Sequence, residues 1–306
     1  MKILNNAVPA RNAAETMSLD SQNRASAYIR RVSVHDYNPL ASHPLALLRT
    51  LVLCRDLLLQ LLRRDTAARY RGTWLGCVWA LATPLLVLAV YTFVFGVIYQ
   101  ASRFNGGVGD YSIILFCAFV PWWLFADLLG GAPSLILSRP SFVTKMSFPL
   151  EILPVVQLGV SLFNSLAALI ILFGALALKG VPYHSTLFWI PVLYIPLCLW
   201  ALGFVYVLSA LGVFFRDLHH IVGVGLQLWF FATPIVYQMD IVPSRLRPWL
   251  RCNPMTEIVE LFRQAIYFGQ APDISSLGIV TGLGFGLLWL GYMLFMQARR
   301  GFADVM

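Results

Sequence analysis

The sequence has 306 residues, of which 59% are hydrophobic and 12% are charged, whereas soluble domains carry about 25% charged residues. This composition excludes an ordinary soluble domain and indicates an integral membrane protein. The net charge of +8 is not read as a sign of nucleic-acid binding, because 11 of the 22 basic residues precede position 72, as expected of a cytoplasmic N-terminal region. The five cysteines are scattered, and their spacing predicts neither a disulfide framework nor a metal site.

Residues 1–44 contain few large apolar side chains, so we expect a flexible cytoplasmic tail. Residues 45–71 are predicted to form an amphipathic helix. Its polar face carries Arg49, Asp56, Gln60, Arg63 and Arg64, and its apolar face carries Leu47, Leu51, Leu58 and Leu62. Such a helix is expected to lie on a membrane surface, with its arginines at lipid head groups or at a partner protein. The alternative, a helix on a soluble core, is disfavoured because no soluble domain follows.

From Trp74 the chain is apolar for about 26 residues, enough to cross a bilayer. The basic helix, then Arg69-Tyr70-Arg71-Gly72, then a W-x-x-x-x-P pattern and an aromatic-rich span occur in this order. This order resembles the opening of the membrane subunit of polysaccharide-exporting ABC transporters, the permease class that moves O-antigen, capsule or teichoic-acid chains. The resemblance covers about residues 50–300, and it implies an interface helix that contains Arg63, Arg64, Arg69, Tyr70 and Arg71.

Five further spans are predicted, at about 111–129, 152–178, 187–214, 221–238 and 276–297. With the N-terminus inside, 16 of the 22 basic residues lie on the inner side, which favours two cytoplasmic termini. We therefore predict an all-α integral membrane protein with about six transmembrane helices in a permease domain at 72–300. The sequence contains no recognisable internal repeat, so it does not suggest an inverted-repeat transporter.

The segment 131–151 is predicted to couple this chain to an ATPase. Its end, Ser147 to Pro154, resembles the F-P-x-E-x-L-P pattern of the same permease class, in which the preceding short helix sits in a groove of the ATPase. The residues assigned to this role are Arg139, Lys145, Phe148, Pro149 and Glu151. The alternative is a plain loop whose prolines start the next helix.

Arg216 and Asp217 mark the cytoplasmic junction between the fourth and fifth spans, and we expect them to pair with other segments. The neighbouring His219-His220 is interpreted as a solvated or interfacial pair rather than a metal site, because adjacent side chains diverge and no third ligand is near. Asp127, inside the second span, is interpreted as structural, with interfacial water or an arginine such as Arg139 as its partner.

Aromatic residues make up 14% of the chain. Their flat faces can stack on sugar rings, so a path for a long glycan is predicted to use some of them, whereas most belong to interfacial belts and lipid-facing surfaces. The residues assigned to the path are Tyr91, Phe95, Trp229 and Tyr237, on the first and fifth spans.

The outer segment 239–275 contains a helix signature after Pro254, with an acid, Glu257, in its first turn. Its N-P-M-T-x-x-x-x-x-F-R order resembles the external gate helices of polysaccharide exporters. The gate residues are predicted to be Asn253, Pro254, Glu260 and Arg263, and a short amphipathic helix at the outer surface is the alternative.

No G-x-x-x-x-G-K-[ST] motif occurs in the sequence, so nucleotide hydrolysis is expected of a partner. The resemblance implies a homodimer in the bacterial plasma membrane with two P-loop ATPase subunits, which use ATP and magnesium, while this chain holds no cofactor. The expected substrate is a lipid-linked polysaccharide. Two other functions stay open: a membrane-embedded transferase acting on lipid-linked sugars through Asp217, His219 and His220, and a non-transporting scaffold.

Overall fold

The computed structural model describes residues 44–94, 108–143 and 148–305, and these residues form helices and turns without a strand. The α-helices in chain order are α1 (Pro44–Leu53), α2 (Arg55–Tyr70), α3 (Trp79–Tyr91), α4 (Val108–Gly131), α5 (Pro140–Val143), α6 (Ile152–Lys179), α7 (Ile190–Phe214), α8 (Leu218–Phe231), α9 (Arg247–Arg251), α10 (Pro254–Arg263), α11 (Ile274–Ala298) and α12 (Phe302–Val305). With the turns that adjoin them, α3, α4, α6, α7 and α11 are long and apolar enough to cross a membrane. The prediction of an all-α membrane protein is confirmed.

The fifth membrane helix is shorter than the sequence predicted. A span was expected at 221–238, but α8 ends at Phe231 after 14 residues, about 21 Å of helix against the ~30 Å of a bilayer core. Pro234 explains the early end, since proline cannot donate to the helical ladder and disfavours helical geometry at the preceding residue. The count of about six membrane helices holds, with α8 as a partial crossing.

The helix α4 forms the centre of the bundle. Nearly all its described side chains are buried, with Phe116, Phe125 and Leu128 fully enclosed, and it packs against α6, α7, α8 and α10. By contrast, α3 and α8 expose most of their apolar side chains, including Leu86, Val90, Leu228 and Phe231. In a membrane protein these two helices therefore offer their surfaces to lipid or to another protein chain.

Close contact between α7 and α11 depends on two glycines. A Cβ atom added to Gly291 would lie 2.4 Å from the carbonyl oxygen of Gly203, closer than any such atoms approach. Small residues at this crossing let the two backbones touch, as is common in membrane helix pairs.

The amphipathic helix exists, in two pieces, α1 and α2, that meet at Cys54. Part of its apolar surface packs against the rest of the chain. Leu47 and Leu61 are buried in the core, and Leu62 packs onto α6 at Gly159, where an added Cβ would come within 2.7 Å of the leucine. The helix is thus docked on the spans of its own chain.

Candidate functional site

The segment 131–151 is fixed by ion pairs at two points. Arg139 donates to Asp65 of α2 at 2.6 Å, and Arg299 donates to Glu151 at 2.7 Å. Arg299 also donates to the carbonyl oxygen of Phe148 at 2.9 Å. The segment is therefore tied to the amphipathic helix and to the end of the last span.

Aromatic stacking closes the described part of this segment on itself. The rings of Phe142 and Phe148 lie parallel, with centroids 4.3 Å apart, and the Arg64 guanidinium sits 5.5 Å from the centre of the Phe142 ring. Pro149 directly precedes the turn that starts α6. Lys145 lies outside the described residues. These contacts hold Phe142, Phe148 and Arg64 together, and a role of the segment in binding an ATPase stays a prediction.

Glu151 is buried, with 7% of its surface exposed. Besides the Arg299 pair, its carbonyl oxygen accepts a hydrogen bond from the hydroxyl of Tyr206 at 2.7 Å. Tyr206 is fully buried on α7. The start of α6 is therefore attached to α7 as well as to the chain's last span, a connection that sequence patterns did not reveal.

A second charged cluster joins α2 to the spans. Arg69 forms a two-pronged ion pair with Asp127 of α4, with distances of 2.9 and 2.6 Å, and Ser161 of α6 donates to the same carboxylate at 2.6 Å. Hydrogen bonding to Asp127 raises the pKa of Arg69, so Arg69 stays charged. The sequence left interfacial water or an arginine such as Arg139 as the partner of Asp127. The partner is an arginine, but it is Arg69, because Arg139 is engaged by Asp65.

The next residue, Tyr70, donates its hydroxyl to the amide oxygen of Asn164 on α6 at 2.5 Å. Burial raises the pKa of this phenol, which keeps it a donor. Arg63 and Arg71, by contrast, are exposed and have no ion pair within the described residues. Of the predicted interface-helix residues, Arg69 and Tyr70 thus bind the spans, Arg64 contacts Phe142, and Arg63 and Arg71 face outward.

The junction residues Arg216 and Asp217 are exposed and have no side-chain partner in the described parts of the chain. Both residues belong to the turn between α7 and α8, and their pairing with other segments stays a prediction. His219 and His220 are also exposed, with ring centroids 5.8 Å apart. No group of three metal-ligating side chains occurs among the described residues.

On the other side of the bundle, Asn253 organises the start of α10. Its side-chain oxygen accepts from the backbone N–H of Met255 at 3.0 Å and from the indole of Trp229 at 2.9 Å. Its amide group donates to the Thr233 hydroxyl at 2.9 Å. Pro254 occupies the first turn of α10. One side chain thereby connects α10 to the unwound end of α8.

Arg263, at the end of α10, is 2% exposed. Its guanidinium donates to the carbonyl oxygen of Ile235 at 2.5 Å and to that of Tyr237 at 3.4 Å, and it lies 3.6 Å from Glu260. The carbonyls released where α8 stops are satisfied in this way. Most α10 side chains are buried against α4 and α7. The gate role and its alternative, a short amphipathic helix at the outer surface, stay predictions.

The aromatic residues assigned to a substrate path lie in different surroundings. The Tyr91 ring lies 4.9 Å from that of Phe119. Trp229 packs edge-on against Phe125 at 5.0 Å, and the Tyr237 hydroxyl donates to the carbonyl oxygen of Phe231 at 3.0 Å. Phe95 lies outside the described residues. All three described rings are partly exposed, and their role in a path stays a prediction.

The cluster of Arg69, Asp127 and Ser161 was not predicted from the sequence. One signal was present: an acidic residue inside an apolar span requires a partner, and the basic residues nearest a span boundary are natural candidates. Which arginine reaches the carboxylate depends on the angle at which α2 crosses α6, and that angle has no local sequence signature.

Together, these features define a multi-pass membrane protein with an amphipathic helix docked on its spans, ion pairs that hold the segment between its second and third membrane helices, and a buried helix α10. Comparison with known proteins identifies the group. Residues 56–267 match the family described as ABC-2 type transporter, and the chain belongs to this family of membrane proteins.

Curated relatives extend the match over most of the chain. It is 32% identical over 262 residues to the O-antigen export system permease protein RfbA of Myxococcus xanthus, covering 84% of this chain and 98% of the relative. It is 25% identical over 252 residues to a protein of the same name from Klebsiella pneumoniae, covering 82% and 95%. This chain is therefore a multi-pass protein of the inner membrane.

Proposed function

We propose that this chain is the membrane subunit of an ATP-driven exporter that passes a lipid-linked polysaccharide, such as an O-antigen or capsule chain, outward across the plasma membrane. The observation that carries the proposal is the match to an O-antigen export permease along 98% of that relative's length. The match thus extends over nearly the whole relative rather than over a single motif.

The proposal assigns ATP hydrolysis to a separate P-loop subunit, because the sequence contains no Walker-type motif. The segment 131–151 is the proposed contact. Its ties through Arg139 to α2 and through Glu151 to Arg299 give a partner's movement two routes into the bundle. Under this proposal the face that holds these pairs is cytoplasmic, as are both termini.

A second copy of the chain completes the proposed channel. The helices α3 and α8 expose apolar side chains along their lengths, such as Val90 at 57% and Leu228 at 68%. Contact between copies along these helices would enclose a path that the partly exposed Tyr91, Trp229 and Tyr237 can line. Aromatic faces suit a sliding glycan because such contacts need no fixed register. The buried outer helix α10 would close this path externally.

Deletion of the gene in its own host tests the proposal. We expect the surface polysaccharide to disappear and lipid-linked glycan to accumulate inside the cell, with both restored by the wild-type gene. Surface glycan can be followed with a lectin or antiserum, and the internal pool by extraction of lipid-linked sugars. If the internal pool contained only unextended lipid-linked sugars, a transferase function would replace this proposal, and unchanged surface glycan would contradict it.

A further inference from the structure

A cavity of about 370 Å³ lies between α3, α4 and α6, beside the Arg69–Asp127 ion pair. Its polar lining includes both members of that pair and Asn164, and its apolar lining includes Trp79, Pro84 and Trp123. Trp79 is 39% exposed, so the cavity opens at the surface of α3. The polar part adjoins the end of the amphipathic helix, and the apolar part follows the first membrane helix.

The lining offers more hydrogen-bond donors than acceptors. Arg69 carries five N–H groups, and two of its nitrogens donate to Asp127. The amide oxygen of Asn164 is taken by Tyr70, while its N–H groups have no acceptor among the described residues. The same holds for the indole N–H groups of Trp79 and Trp123.

Fewer acceptors remain unused, and one of these, the Thr83 hydroxyl, can also donate. Asp127 is the one carboxylate in the lining, and both of its oxygens accept hydrogen bonds, from Arg69 and Ser161. Unused donors in the lining therefore outnumber unused acceptors, so a ligand rich in hydrogen-bond acceptors suits this cavity. Sugar hydroxyls donate as readily as they accept, so a bare sugar fits poorly. Phosphate oxygens fit this demand, and charge-assisted bonds from a guanidinium favour them.

We propose that this cavity binds the phosphate of a membrane lipid, with Arg69, Asn164 and Trp123 as donors and with the lipid chains lying along the apolar wall that Trp79 and Pro84 of α3 form. The apolar walls distinguish this site from one for free phosphate. A bound lipid would bridge the amphipathic helix to α3, α4 and α6. The phosphate can come from a glycerophospholipid or, if the proposed function holds, from the polyprenyl carrier of the glycan.

Photo-crosslinking of the full-length chain in lipid nanodiscs tests the site. The probes are a photoactivatable phosphatidylglycerol and a diacylglycerol with the same chains but no phosphate. We expect phosphatidylglycerol to label peptides from residues 79–84 and 161–168, and diacylglycerol to label them about tenfold less, as expected for the loss of one charge-assisted hydrogen bond. Equal labelling by the two probes would overturn the proposal.

Two variants separate binding from folding. Asn164→Asp keeps the oxygen that accepts from Tyr70 but replaces the donating N–H groups with a negative oxygen, so labelling should fall about tenfold. Trp123→Phe keeps an aromatic ring but removes the N–H, so labelling should also fall. Trp249→Phe, at a residue 78% exposed on α9, is the matched control and should leave labelling unchanged. If Asn164→Asp does not fold, Trp123→Phe decides, and unchanged labelling in a folded variant would overturn the proposal.

Competition identifies the source of the phosphate. Displacement of the probe by polyprenyl phosphate at lower concentration than by unlabelled phosphatidylglycerol assigns the carrier, and the reverse order assigns a bulk phospholipid. Failure of both competitors would overturn the site. Because this assay measures binding without transport, its result is independent of whether the chain exports a polysaccharide.

Discussion

At the scale of single residues, the ion pair between Arg69 and Asp127 shows how an acid is accommodated beside a membrane. The carboxylate accepts hydrogen bonds from two nitrogens of the Arg69 guanidinium and from the Ser161 hydroxyl. Its charge is therefore balanced, and both of its oxygens have partners. An uncompensated carboxylate there would be costly. The arrangement also holds the end of α2 against α4 and α6, so one charge pair fixes the entry to the first span.

A double-mutant cycle measures this coupling. Arg69→Met and Asp127→Asn should each lower the unfolding free energy by about 1 kcal/mol, because Arg69 is 41% and Asp127 28% exposed in their side chains and solvent weakens such pairs. The double variant should lose less than the sum of the single variants. Thermal unfolding of the purified full-length chain gives the values. Arg63→Met, on the exposed face of the same helix, is the control and should change stability by less than about 0.5 kcal/mol; strictly additive losses would mean that the pair contributes nothing.

At the scale of elements, sequence patterns located α6 and α11 to within a few residues, because a long apolar run admits only a membrane helix. The fifth span predicted from the sequence was too long, because the apolar run from Ile221 to Tyr237 continues past the helix end that Pro234 causes. Sequence patterns also left the burial of α10 undecided. The helix carries Glu257, Glu260 and Arg263, and the burial of Arg263 is made favourable by Glu260 and by the carbonyl oxygens of residues that follow α8.

The contact between α2 and the segment 131–151 gives a prediction about coupling. Asp65→Arg alone should strongly reduce export, because it places a second positive charge beside that of Arg139. The exchange Asp65→Arg with Arg139→Asp restores opposite charges and should recover part of the activity. The measurement is surface polysaccharide in the complemented deletion strain, with protein level determined by immunoblot. An exchange variant as inactive as the single variant, at equal protein level, would show that the pair does not link these elements.

The crossing of α7 and α11 gives a stability prediction with a control on the same helix. Gly291→Ala places a methyl group 2.4 Å from the Gly203 carbonyl oxygen and should lower the unfolding free energy by about 1–3 kcal/mol through overpacking. Gly286→Ala meets no atom within 4 Å and should be neutral or slightly stabilising, because alanine favours the helix. Thermal unfolding of both variants in one detergent compares them, and equal midpoints would contradict the close crossing.

At the scale of the whole molecule, composition and charge predicted the class, and short motifs predicted which segments carry function. The sequence could not show which charges meet. The paired residues are far apart in sequence: Asp65 and Arg139 are separated by 74 positions, Arg69 and Asp127 by 58, and Glu151 and Arg299 by 148. Such pairs depend on how the helices pack, and local sequence patterns do not reveal that packing. The roles of Tyr91, Trp229 and Tyr237 in a path stay predictions for the same reason, since a path between two copies depends on how they associate.

The central claim is that this chain forms a passage that a separate ATPase drives. The direct test is reconstitution of the full-length chain in lipid vesicles, with and without its cognate ATPase subunit, followed by measurement of lipid-linked polysaccharide reaching the opposite leaflet. We predict transfer only when the ATPase and hydrolysable ATP are both present, and none from the chain alone. Transfer by the chain alone, without nucleotide, would contradict the account.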